Sequence, residues 1–486
     1  MFATLVIKEL RGILLSPKFA LTFACCSLLI LISVYTGVRE YRAERDGYEA
    51  ALKLADSQAE EAGSWQRFRY RALREPDPLR AFVSGLSSDI GRWSNIAQDE
   101  SVKLRHPAYS DDPLFALFRM VDFSVIVGVV LSLFALLFTY DAVSGEREAG
   151  TLKLVFSHGV SRATYLSAKG LGAWLGLVVP LAIPVLLSLA LLPWLGLPVS
   201  NGLWLRLGAL LLVSLAYFTL FIVLGLLIST ITRSSSTSFL VALVVWIAFV
   251  LIIPRGGMMA AGQMVNVPRV AEIEGRRDAF AQDLWSKHYK AMEERLREER
   301  HSGDPAHTSA DSDQEMWERM QREDSLRRDV EAQIQEFESD LMSDLKRRRE
   351  VQERLALVLS RISPVSAYQL AAMELAGTDL AMKSRNEDAM TRYRDDWLKH
   401  VQARQAETGE MGGFVQIEIS SETGLKIGGS RGDERIDLSD MPRFSPVRLS
   451  AADVLPSVST DLAILVLGGL AAFLGAWVAF WRYDVR

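Results

Sequence analysis

Residues 207–231 read LGALLLVSLAYFTLFIVLGLLISTI, with no acidic, basic or histidine side chain among them. A helix rises about 1.5 Å per residue, so about twenty apolar residues are what a hydrocarbon core of about 30 Å demands. The run is apolar around its whole circumference, unlike the one-sided helix at the surface of a water-soluble domain. It therefore belongs in a membrane. Companion runs occupy 19–38, 121–140, 171–195, 239–253 and 462–481. The fifth of the six, 239–253, is the shortest and reaches full length (236–254) only with Ser236–Ser238. Pro180, Pro184 and Pro193 predict a kink in the third, which neighbouring helices tolerate by re-satisfying the freed carbonyls. Trp174, Trp194, Trp204, Trp477 and Trp481 fall near run ends, where amphipathic rings belong. The expected fold is an all-α polytopic membrane protein with six transmembrane helices.

The averages alone conceal this. Hydrophobic residues make up 49% of the 486 and charged ones 23%, close to ordinary values, but the charge is concentrated between about 270 and 410. Such segregation excludes a uniform soluble enzyme and a disordered chain. A net charge of -5 argues against a nucleic-acid partner. Cys25 and Cys26 are adjacent in an apolar run, so no disulfide framework and no cysteine zinc site is expected. The first run is read as a retained span, because 18 residues precede it and no small-residue cleavage site follows.

Six spans put both termini on one side. Short loops carry the orientation signal. Residues 141–170 hold Arg147, Lys153, Arg162 and Lys169, Arg233 lies in the next loop on that side, and Arg482 and Arg486 follow the last span. The loop between spans three and four offers only Arg206. The expected topology has cytoplasmic termini, a cytoplasmic loop at 141–170 and a tail at 482–486. Two extracytoplasmic insertions then remain, 39–120 and 255–461.

The larger insertion is expected to be helical, with stretches at about 270–300, 314–362 and 366–405. Val330, Phe337, Val351 and Val358 repeat by sevens, as do Ile334, Leu341, Leu355 and Ile362, while Asp344 and Arg348 interrupt the seam. This coiled-coil-like pattern asks for a partner helix, which 366–405 could supply. Alternation in FVQIEIS (414–420), followed by 425–427 and 434–438, predicts a small β element at about 413–438. The triplet Arg431-Gly432-Asp433 reads as chance in a charged loop.

Chemistry is sparse. No GxxxxGK[ST] and no HExxH occurs, and the six histidines are scattered. His301 and His307 flank Asp304 but read as parts of a polar loop. The spans carry almost no ionisable residue, with Asp122 and Asp141 at the two ends of span two, which disfavours an ion relay. Two features remain. In MFATLVIKELRGILLSPK (1–18), Phe2, Val6, Leu10, Ile13 and Leu14 leave Thr4, Lys8 and Arg11 on another face. The segment fits either an amphipathic helix along the membrane surface or a plain positive flank. In SGEREAGTLKLVFSHGVSRATYLSAKG (144–170), Glu146, Arg147 and Glu148 precede Gly150 and Thr151, the apolar Leu152, Leu154 and Phe156, then Arg162 and Lys169. Residue types alone leave it a docking element or an interfacial connector.

This stretch resembles the cytoplasmic loop of ABC-2-type exporter permeases, with EREAGTL, apolar residues, then SR and a Lys before span three. Gly159 stands where that family often has Pro. The insertions after spans one and five make the layout similar to the subgroup labelled multicopper-enzyme-maturation permeases, a label that does not imply a copper substrate. The resemblance implies a non-catalytic subunit of a bacterial inner-membrane ABC transporter that exports an unidentified substrate. Glu146–Phe156 would form a helix seated on a separate ATPase subunit, with Arg162 and Lys169 anchoring the loop against that subunit or lipid headgroups. It further implies two ATPase copies, which would hold the ATP and magnesium, no cofactor in this chain, and a second permease subunit, identical or related. The large insertions leave a second expectation open, a non-transporting subunit whose outer helices act on an envelope protein.

Overall fold

In the computed structural model the described residues are 1–60, 70–97, 102–106, 121–198, 200–301, 309–408, 416–420, 424–428 and 441–482. Six helices among them are long and apolar enough to cross a membrane. The chain is an all-α, multi-pass membrane protein. Its spans are Pro17–Glu60, then Phe123–Val125 continued by a π-helical turn Ile126–Leu131 and Ser132–Thr139, Arg162–Leu191, and Asn201–Ile231. The fifth runs from Ser235–Ile247 through a second π turn, Ala248–Ile252, into Ile253–Met264, and the sixth is Ala451–Trp481. Pro180 and Pro184 lie inside the third helix, which ends before Pro193. An oxygen-bearing side chain opens most of these helices by accepting from a free N–H of the first turn: Asp122, Ser161, Ser200, Ser234 and Ser450.

The chain divides into two compact units, Met1–Ile252 with Ser363–Arg486, and Ile253–Ile362. In the first, the fourth span lies at the centre. Over half of its apolar window is buried (56%), against 17% in the sixth, whose Leu467, Leu470 and Leu474 stay exposed as a lipid-facing surface would.

A short helix, Pro364–Ala376, is also sunk in this core. Proline starts it and Gly377, at φ +67°, ends it. At 13 residues it is too short to span, yet Val365, Ala367, Tyr368 and Ala371 are at most 1% exposed. It packs on the fourth and sixth spans and on both π turns. A π turn displaces carbonyls from the regular ladder. Here hydroxyls from neighbouring elements supply them: Tyr217 donates to the Gly128 carbonyl at 2.7 Å, and Ser363 donates to that of Phe249. The sequence suggests a single outer helical stretch at 366–405. The structure instead breaks it at Gly377 and packs its first part among the spans.

The first span helix continues well past its apolar run. The turn Pro78–Ala81 lies against it at Gly37, where any Cβ would collide with the Ala81 carbonyl. Buried Arg80 pairs with Glu40 at 3.0 Å and with Glu44 one turn on. An unforeseen antiparallel pair, β1 (Tyr70–Leu73) and β2 (Trp93–Ile96), packs on Met390 and Trp397 of the helix Ala381–Thr408. Strands β3 (Gln416–Ser420) and β4 (Gly424–Gly428) form the expected small element, registered Ile417 to Ile427. Residues 434–438 and the Arg431-Gly432-Asp433 triplet fall outside the described residues.

The second unit holds Ile253–Met264, Val270–His301 and the 52-residue helix Ser309–Ser360, about 78 Å long. The long helix finds its partners here, in the two preceding helices. The Phe280 and Phe337 rings stack at 4.1 Å, and Arg277 reaches Glu338 at 3.7 Å. Only part of the sevenfold seam survives. Val330 is buried, and Ile334, Phe337 and Leu341 are half-buried, but the line then moves to Leu345, 6% exposed, while Val351 and Val358 face outward at 50% and 61%. Spacings of three, four and four keep step with 3.6 residues per turn better than a strict heptad. The two interrupting residues pair with each other, Arg348 to Asp344 at 2.7 Å. Asp304 and His307 fall outside the described residues.

Candidate functional site, the loop between spans two and three

Residues 144–170 fold as Ser144–Glu148, Thr151–Ser157 and the start of the third span. Gly150, at φ +72°, makes the corner between the two short helices. Gly159 is also left-handed, at φ +73°, a conformation closed to the proline seen there in similar loops. Glycine thus makes a turn here that proline could not adopt.

Apart from Lys153, the charged side chains of the loop are bonded within the same chain. Glu146 accepts from Lys8 at 2.9 Å, from Lys169 at 2.9 Å and from the Tyr165 hydroxyl at 2.6 Å. Lys169, only 7% exposed in its side chain, also reaches Glu9 at 2.6 Å. Glu9 and Lys8 belong to the N-terminal helix Phe2–Leu14, which packs along the third span. Its hydrogen bond to the Glu146 carboxylate raises the pKa of Lys8 above its ordinary value. Arg147 donates to the carbonyls of Thr232 at 2.7 Å and Thr230 at 3.2 Å, at the end of the fourth span. Glu148 accepts from the Ser235 N–H at 3.0 Å, at the start of the fifth. Arg162 donates to the carbonyls of Trp481 at 2.6 Å and Phe480 at 3.3 Å, at the end of the sixth. A helix leaves unbonded carbonyls at its C-terminus and N–H groups at its N-terminus, so cations suit the former and anions the latter.

Beneath these contacts Leu152, 2% exposed, packs with Val143, Tyr165, Leu226 and Phe480. Tyr165 stacks on Phe480 at 5.4 Å, and Phe156 lies 5.6 Å from Tyr165. The outward face carries Thr151, Lys153, Leu154 (61% exposed), Ser157 and His158. Among the site residues named from sequence, Glu146, Arg147, Leu152, Arg162 and Lys169 are tied inward. Glu148, Gly150, Thr151 and Leu154 are exposed, and Phe156 is half-buried.

The model of the family described as ABC-2 family transporter protein matches residues 3–482. The chain belongs to that family. A comparison with curated proteins found no match. For this ABC-2 family member the loop and the start of span three are the place where the ends of spans four, five and six and the N-terminal helix are bonded to a single segment. Lys8, Glu9 and Tyr165 are parts of it that sequence reading missed. The only hint was the pair of acidic and basic residues on the polar face of an amphipathic N-terminus. Asp461 was missed too, fully buried in a sixth span that begins ahead of its apolar run. Among the described residues, no group of three His, Cys, Asp or Glu is placed to hold a metal ion.

Proposed function

We propose that this chain is the membrane-spanning permease subunit of an ABC transporter, coupling ATP hydrolysis in a separate ATPase subunit to export of a substrate. The observation supporting this reading is the bonding of residues 144–170, which include the start of span three, to the ends of spans four, five and six and to the N-terminal helix. A force applied to that segment is delivered to all of them together. Residues Glu146–Phe156 form the coupling segment in this proposal, with exposed Leu154 entering a groove of the ATPase. Glu146, Arg147, Arg162 and Lys169 transmit the displacement. The assembly has two ATPase copies, which hold the ATP and magnesium, and a second permease subunit. Termini and loop lie on the cytoplasmic side of a bacterial inner membrane. The insertions at 39–120 and 255–461 lie outside, as in the multicopper-enzyme-maturation subgroup, except for the helix Pro364–Ala376 packed among the spans, and an outer protein meets them on that side.

Leu154→Asp tests the docking face without touching the inward contacts. The permease should remain in the membrane at wild-type level, while the ATPase no longer co-purifies and its stimulated hydrolysis disappears. Retained co-purification and hydrolysis would sink the coupling role. In a background lacking Cys25 and Cys26, an impermeant thiol reagent on intact cells should label Ser343→Cys and spare Ser157→Cys. The reverse labelling would overturn the orientation.

The length of Ser309–Ser360 supports a second reading, a subunit that moves no substrate and instead transmits force through its long helices to an envelope protein. Deleting 270–360 separates the two. Transport with the deletion favours the exporter, whereas retained ATP hydrolysis with loss of an envelope function favours the force transmitter.

A further inference from the structure

The long helix Ser309–Ser360 leads directly into Ser363 and the helix Pro364–Ala376, so its last turns are tied to a point of known depth in the membrane. Ser363 donates to the Phe249 carbonyl, in the π turn of span five. Counted from Ser235, where that span begins, Phe249 lies about 21 Å along the helix, short of the far side of a hydrocarbon core about 30 Å thick. A second distance agrees. Ser214 donates to the Tyr368 hydroxyl at 3.3 Å, and Arg206 donates to the Leu375 carbonyl at 2.8 Å, so Pro364–Ala376 runs antiparallel beside span four. Its length puts Ser363 about 18 Å inward from the ion pair of Arg206 with Asp77.

The chain reaches that depth through residues 355–362, LALVLSRI, in which Arg361 is the one charge. The turns before it, RRREVQER at 347–354, are densely charged. Within the second unit this apolar foot lies along Ile253–Met264, the unbroken continuation of span five. Gln352 donates to the Val265 carbonyl at 3.1 Å, and a Cβ on Gly257 would come within 3.0 Å of the Ser360 nitrogen, so the two helices run antiparallel. That packing covers one side of the foot. Val358 and Ile362 are left 61% and 65% exposed, and Met258 and Met259 are exposed as well. Arg354 lies about 9 Å further out than Ser360, roughly the thickness of a headgroup layer, and its side chain is 81% exposed. Apolar side chains at hydrocarbon depth with a long basic one at headgroup level are what a helix entering a bilayer carries.

We propose that the foot of the long helix, residues 355–362, is seated in the leaflet remote from the 144–170 loop, with Val358 and Ile362 against phospholipid acyl chains and Arg354 among the phosphates. The foot is thus a lipid-binding surface beyond the six spans, and it extends the embedded part of the insertion past Pro364–Ala376. Lipid is the occupant because this surface continues the apolar exterior of span five, where Leu240, Val244 and Ile252 are exposed. The proposal holds whichever side of the membrane carries the loop, and none of its residues belongs to 144–170, so it stands apart from the coupling reading.

The test uses the full chain with Cys25→Ser and Cys26→Ser, reconstituted into nanodiscs of phosphatidylglycerol and phosphatidylcholine. A nitroxide is attached singly at Val358→Cys, Ile362→Cys, Ser343→Cys or Leu467→Cys, all exposed positions where the label displaces no packed side chain. Power-saturation EPR then compares the access of oxygen, which concentrates in acyl chains, with that of nickel-EDDA, which stays in water. Leu467→Cys, on the lipid-facing side of span six, sets the lipid ratio, and Ser343→Cys, about 22 Å further out than Val358, sets the aqueous one. Val358→Cys and Ile362→Cys should both favour oxygen, as Leu467→Cys does, with the preference reversed at Ser343→Cys. A preference for nickel-EDDA at either position overturns the proposal, because the foot then stands clear of the bilayer. Poor access by both reagents also overturns it, because a second copy or another protein then covers the face. Either position alone can return these results, so the test survives the failure of one variant to assemble.

Discussion

The loop at 144–170 and the helix Ser309–Ser360 are both rich in charge, and they use it in opposite ways. In the loop, each ionic contact joins residues remote in sequence: Lys8 to Glu146, Lys169 to Glu9, Arg162 to the last carbonyls of the sixth span. Along the long helix most contacts run one turn up or down the same helix, as in Arg328 with Asp324, Arg327 with Glu331 and Arg348 with Asp344. Pairs of the second kind are solvated and add only about 0.3–0.5 kcal/mol each, keeping a helix formed without telling it where to lie. Those of the first kind are partly withdrawn from water and fix elements against one another. The same residue types thus give position in one region and persistence in the other.

The contrast fails most visibly if Glu146→Ala is harmless. That change leaves Lys169 facing only Glu9 and Tyr165 without its acceptor. Removing one partner of a buried pair typically costs about 3–5 kcal/mol, so Tm in detergent should fall by many degrees and the N-terminal helix should become open to proteolysis. A fall of a degree or two would put the loop in the same class as the long helix. In the second unit the larger effects should come from apolar contacts. Leu345→Ala should cost about 2 kcal/mol, near the lower end for a buried leucine, while outward-facing Val358→Ala should stay within about 0.5 kcal/mol. Hydrogen exchange on the full chain, read over 270–360, measures both. Equal effects would mean that the seam follows the strict heptad after all.

The smallest effect concerns Asp344, whose pKa is lowered by hydrogen bonds from Arg347 and Arg348. A carboxyl lowered in the folded state stabilises it above the unfolded pKa, near 3.8, and loses that contribution as pH falls through the folded value. The stability difference between wild type and Asp344→Asn should therefore be flat from pH 8 to pH 5 and shrink only below pH 4. A difference that changes near neutrality would point to another titrating group.

The spans were legible because burial in lipid imposes composition on every turn, as in 207–231. The short helix Pro364–Ala376 was not, since 13 mixed residues carry no length signal, and their burial depends on neighbours far along the chain. The same reason hid half of the loop's contacts. Residues 144–170 show a charged start and an apolar body, but nothing local says that Glu146 answers to Lys8 or that Arg162 answers to the end of the sixth span. In the long helix the sevenfold repeat keeps Ile334, Phe337, Leu341 and again Leu355 half-buried, but the partner surface, not the repeat, selected Leu345 and left Val351, Val358 and Ile362 outside.

The two π turns set the rotational phase of spans two and five. A residue advances an α-helix by about 100°, and a π turn accommodates one extra residue, so the side chains before Ile126 and those after Leu131 are offset by roughly that angle. Asp122, which caps the start of the second span and accepts from Ser84, and Thr139 near its other end are thereby aimed independently. Deleting a single residue within 126–131 would restore a plain helix and swing one end of the span away from its neighbours by more than a quarter turn. Substitutions that keep the residue count would leave that alignment intact.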